Sequence, residues 1–110
     1  MTRCLVVQPD GTGELADLYE LDDYRKAIGG GFLQSLRGGK CYAICDEDGK
    51  TLGLPCNALA TTLAMKLGYE SVPPDFLAGT VIFHGGVSDD RTVDVTEPVI
   101  DVARAIGIYV

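Results

Sequence analysis

The sequence predicts an α+β domain: an antiparallel or mixed sheet of four to six strands with two main helices packed on it. Three observations carry that prediction. Short apolar runs punctuated by Gly- and Pro-containing turns recur at RCLVVQ, FLQSLR, KCYAICD and LAGTVIFHGG, a pattern of strands. Leu59, Leu63 and Leu67 repeat every fourth residue with Ala60 and Ala64 beside them, the apolar stripe of a core-facing helix. Val99, Val102, Ala103 and Ile106 form a second such stripe.

Taken in order, RCLVVQ is a β run ended by Pro9-Asp10-Gly11, a turn in which Pro presets φ and Gly tolerates positive φ. Residues 14 to 21 fit either a strand or a helix; the preceding turn suits a hairpin, so a strand is expected. Asp22 is expected to cap a short helix through Ile28, stopped by Gly29-Gly30-Gly31. FLQSLR and KCYAICD read as a hairpin closed by Gly38-Gly39, and Asp46 to Lys50 as the next turn. A helix over 57 to 67 follows, with Asn57 as N-cap and Gly68 at its end. SVPPDF is an irregular connector. LAGTVIFHGG is apolar on both faces, so a central strand is expected. Thr96 suits the cap of a last helix over 97 to 107, with Glu97 and Pro98 in its first turn.

The 110 residues suffice for a single domain over 1–110, burying roughly 65% of the unfolded chain's surface without disulfide or cofactor. No tract is apolar for the roughly 20 residues a membrane span needs. The apolar run near the N-terminus, Leu5 to Val7, is too short for a signal peptide, so a cytoplasmic location is expected. The four cysteines are then expected as thiols. Cys41 and Cys45 share one face of a strand at about 13 Å, beyond disulfide reach and too far apart for one zinc ion. No metal or cofactor is expected.

Sixteen acids against nine bases give a net charge of −7, a field that repels phosphate backbones and disfavours direct nucleic-acid binding. Six of those acids, Asp10, Glu14, Asp17, Glu20, Asp22 and Asp23, fall between Arg3 and Arg25 without a base. Such a run is either a solvated face or an acidic patch that engages a basic protein. In the second case Asp17, Glu20, Asp22 and Asp23 are the partner-binding residues.

No complete catalytic motif survives. GTGELA, residues 11 to 16, matches a dinucleotide fingerprint formally, but the acids beside it would crowd a pyrophosphate. The two Gly-Lys pairs lack the upstream Gly of a phosphate loop, and DEDGK departs from a calcium loop after Asp48. His84 is the lone histidine, either a strand-end side chain bonded to backbone or a ligand contact. Cys56, beside a helix start, is the one plausible nucleophile, with packing as its default role. Pro55 keeps Leu54 extended, so the chain turns sharply at Asn57 into the helix. The same geometry turns free amides outward, as anion sites do. Pro55, Asn57, Thr80 and His84 are therefore the candidate ligand-binding residues.

DEDGKTLGLPCN, followed about twenty residues later by AGTVIFHGG and preceded by the Gly-Gly after a short helix, resembles the domain-of-unknown-function family numbered 3846. The resemblance spans most of the chain and is most specific at Gly49, Leu54, Pro55, Asn57, Gly79 and Thr80. It implies a small protein of a bacteriophage or other mobile element and carries no established activity. Similar proteins often place Arg where this chain has Ala58, so an anion contact from that position is absent here. The expected function is that of a non-catalytic accessory protein binding a host protein through its acidic surface. The competing expectation is a small anionic metabolite or signalling nucleotide held near Asn57 and His84. Chemistry by Cys56 or His84 is a weaker third, and the oligomeric state is not legible.

Overall fold

A chain whose strands are apolar on both sides must have both faces of its sheet covered, and this one does. The computed structural model describes residues 1–70 and 76–110. In chain order it contains β1 (Thr2–Val7), β2 (Gly13–Leu18), α1 (Leu21–Ala27), β3 (Leu33–Gly38), β4 (Cys41–Asp46), α2 (Ala58–Lys66), β5 (Val81–Phe83), β6 (Val87–Ser88), β7 (Arg91–Thr92) and α3 (Glu97–Ala105). The first five strands form one sheet in the order β2-β1-β5-β4-β3, every pairing antiparallel. β6 and β7 make a separate two-stranded ribbon. The fold is α+β.

Alternation along each strand divides the core in two. Leu5, Val7, Cys41, Ala43, Cys45, Val81 and Phe83 pack against Leu63 and Ala64 of α2 and Ile100 and Ala103 of α3. Cys4, Val6, Ile44 and Ile82 point the other way, toward Tyr24 and Ile28 of the α1 region. Helices thus cover both faces, which is why LVV in β1 and VIF in β5 lack polar residues.

Several boundaries differ from the sequence reading. The strand expected across LAGTVIFHGG is only Val81–Phe83, though it is central as expected. Gly79 takes φ +78° and Gly86 φ +118°, so the chain leaves extended geometry at both ends. The α1 cap is Glu20 and not Asp22: the Asp23 carboxylate accepts from the amides of Tyr19 and Glu20 at 2.9 and 3.0 Å, holding the entry to the helix. Thr96 stands at the N-cap of α3 but its side chain makes no capping bond. Gly38 ends β3, so the hairpin turn is Gly39-Lys40. The ribbon β6-β7 was not expected; its turn residues Asp89 and Asp90 both take positive φ, 51° and 60°, the geometry of a tight hairpin whose usual sequence signal is Asn-Gly. Within SVPPDF, residues 71–75 lie outside the described residues, so that expectation stands apart from the structure.

Candidate functional site

The junction that looked like an anion site is occupied by the fold itself. Asn57 is 0% exposed. Its Oδ1 accepts from the Ala60 amide at 3.1 Å, as an N-cap should, while its Nδ2 donates to the Val7 carbonyl at 2.9 Å and the Gly79 carbonyl at 2.8 Å. The segment from Leu77 to Gly79 pairs back on the junction: the Asn57 amide donates to Leu77 and the Gly79 amide to Pro55, with Cys56 and Ala78 bridged between them. A Cβ on Gly79 would lie 2.8 Å from Leu54 Cδ1, and one on Gly49 3.2 Å from the Ala78 carbonyl. Thr80 donates to the Gln8 side chain at 2.7 Å. Gly49, Leu54, Pro55, Asn57, Gly79 and Thr80 are therefore one structural knot that ties β1, the start of α2 and the approach to β5.

His84 lies elsewhere. Asn57 holds Val7, which pairs with Val81, and His84 is three residues beyond Val81 at about 3.3 Å per residue, so no single small anion bridges the two by direct hydrogen bonds. The two grooves that His84 lines, one with Ile44 and Val87 and one with Lys40 and Val102, include none of Pro55, Asn57 and Thr80. The His84 amide donates to the Tyr42 carbonyl, the two rings lie 6.0 Å apart, and the Arg37 guanidinium sits 5.6 Å from the Tyr42 ring centre. His84 Nδ1 lies 3.1 Å from the Gly86 amide and 3.2 Å from the Gly86 carbonyl, and the ring tautomer decides whether it accepts from the first or donates to the second. Burial pushes the His84 pKa down from its ordinary 6.5, so the ring is neutral at pH 7.

The acidic segment divides by role. Asp10 accepts from the Thr12 amide and hydroxyl at 2.9 and 2.7 Å, and Asp23 closes the capping box of α1 from its third position. Asp22 pairs with Arg25 at 3.6 Å on the exposed helix surface. Asp17 and Glu20 are exposed and without an ion-pair partner among the described residues. Sequence reasoning missed the side chains interleaved with them: Met1, Tyr19 and Leu21 are 74%, 66% and 70% exposed. With Glu20, Tyr24, Asp90 and Arg91 they surround a depression of about 420 Å³. The signal was present in the apolar Tyr19 and Leu21 flanking Glu20, but the strand reading of 14 to 21 placed both on a buried face.

Cys4, Cys41 and Cys45 are buried, and desolvation pushes each thiol up to about 11. Cys56 is exposed at the opposite end of β5 from His84. Among the described residues no three His, Cys, Asp or Glu side chains gather to hold a metal ion, and no helix is long and apolar enough to cross a membrane.

Fold and surface together define a small α+β protein whose junction from Leu54 to Asn57 is tied into the core. The chain belongs to the family described as a domain of unknown function, DUF3846, whose sequence model matches residues 1–106. No curated protein and no solved structure matches it.

Proposed function

We propose that this chain is a non-catalytic accessory protein of a bacteriophage or other mobile element that acts in the host cytoplasm by docking on a basic host protein. The observation that carries the reading is the surface around Glu20. Three large apolar side chains, Met1, Tyr19 and Leu21, stand exposed around a depression that Glu20, Asp90 and Arg91 also line, with the exposed Asp17 and Asp22 close by in sequence. Apolar anchors rimmed by charge are the anatomy of a protein interface. An acidic rim around them selects a basic partner and speeds encounter, and repels nucleic acid. Asp23 contributes through the helix entry it fixes, which presents Tyr19, Glu20 and Leu21 on one turn. Family membership supports the mobile-element origin.

The test is capture from host lysate by the chain, by Tyr19→Ser/Leu21→Ser, and by Asp17→Lys/Glu20→Lys/Asp22→Lys. Asp23 is left intact because its reversal would unfix α1. The expected result is one protein retained by the parent and lost by both variants, with melting temperatures little changed since all the altered groups are exposed. Retention by the parent should weaken as salt rises from about 0.05 to 0.5 M, where screening lengths fall below about 5 Å. Undiminished capture by both variants would sink the proposal.

A further inference from the structure

A second recessed surface lies away from the docking patch. The hairpin turn between β3 and β4 packs on the end of α2: the Lys40 amide donates to the Leu67 carbonyl at 2.7 Å. A Cβ on Gly39 would stand 3.0 Å from the Gly68 Cα, so only glycine on both sides permits this approach. The contact sets Lys40 beside the last turn of α2, where Lys66 sits. Both lysines line a groove of about 640 Å³ whose walls include Tyr42, His84, Val99 and Val102. Among the described residues neither lysine has a carboxylate within ion-pair distance, in a chain of net charge −7. The Lys66 charge suits the negative end of α2; that account does not extend to Lys40.

His84, 6% exposed and held by Nδ1 against the Gly86 amide and carbonyl, adds a polar edge to the groove. Two ammonium groups without a carboxylate partner among the described residues, set against aromatic and aliphatic walls, fit an acid group joined to a flat apolar body.

We propose that this groove binds a small organic anion, its carboxylate or phosphate met by Lys40 and Lys66 and its planar body laid against Tyr42, Val99 and Val102. The walls give the body its affinity and the cations orient it. Inorganic phosphate alone lacks the first and a neutral aromatic lacks the second.

The test is a titration of the ¹⁵N-labelled full chain with 1-naphthyl phosphate, 1-naphthol and inorganic phosphate, read by amide shifts. The expected result is saturable binding of 1-naphthyl phosphate below about 1 mM, with the largest shifts at Lys40, Tyr42, Lys66, Gly85 and Val99. Each half alone should bind about tenfold more weakly or worse. Lys40→Gln/Lys66→Gln, both exposed and safe for folding, should weaken the whole probe about tenfold. Val102→Trp, which fills the groove, should abolish those shifts while a dispersed spectrum reports an intact fold. Absence of saturable shifts up to about 10 mM probe, unchanged affinity in the lysine variant, or shifts confined to the Met1 and Tyr19 surface would each overturn the proposal.

Discussion

Replacing Asn57 separates a helix cap from a knot. A residue that only caps loses about 1 kcal/mol on change to Ala and almost nothing on change to Asp, which caps as well as Asn does. The structure assigns Asn57 two further bonds, from Nδ2 to the carbonyls of Val7 and Gly79 at 2.9 and 2.8 Å, in a site with no solvent exposure. Asn57→Ala then removes the cap and leaves two buried carbonyls each short of a donor, at about 1–2 kcal/mol apiece. The total is about 3–5 kcal/mol, a large part of the 5–15 kcal/mol that holds a typical domain. Asn57→Asp keeps the acceptor for the Ala60 amide but has no N–H to give, and it places a negative oxygen against two carbonyls. Its loss should equal or exceed that of Asn57→Ala. Urea unfolding at pH 7, followed by circular dichroism and compared at constant m-value, measures both. An Asn57→Asp variant within about 0.5 kcal/mol of the parent would show that Asn57 is a cap alone.

The remaining predictions concern pH and thiols. The folded pKa of His84 lies below its ordinary 6.5, so between the two values the unfolded chain binds more protons; the stability tied to the neutral ring is complete above pH 6.5 and is lost as pH falls through the folded value. Melting curves from pH 7.5 downward should show that loss in the parent and a flatter profile in His84→Gln, and parallel profiles would refute the assignment. Asp10 and Asp23, whose bonds to neighbouring amides hold their pKa values below 3.8, add a separate loss only as pH falls through and beneath 3.8. Under native conditions a thiol reagent such as dithionitrobenzoate should label Cys56 alone, since Cys4, Cys41 and Cys45 are buried with thiols near 11; four equivalents should react in denaturant, and rapid native labelling of more than one would contradict the packing.

Legibility differed by the range of the interactions involved. The central position of VIF and the helix from Ala58 to Lys66 were readable because both depend on local periodicity. The ends of β5 were not, since Leu77 to Gly79 pair with the junction at 54 to 57 and no run of apolar residues reveals that competitor. The α1 cap was misassigned by two residues because Asp22 is a preferred N-cap type and Glu20 is not, and Glu20 holds the position only through the capping box that Asp23 closes. For the candidate sites the same rule holds. Asn57 was identified as a cap from its neighbours, whereas its bonds to Val7 and Gly79 span 50 and 22 positions. The pairing of Lys40 with Lys66 depends on a hairpin turn docking against a helix end, a contact between glycines that leaves no mark in composition or charge.

The placement of β5 between β1 and β4 has a consequence for how the chain comes off the ribosome. The β1-β2 and β3-β4 hairpins are each contiguous in sequence and can close early. Neither can join the other until Val81, Ile82 and Phe83 have been synthesised, because those three residues form the seam between them. Until then β1 and β4 each lack the partner strand that β5 supplies. The nascent chain must wait as two unjoined hairpins, and the three residues Val81–Phe83 act as the fastener that turns them into one sheet.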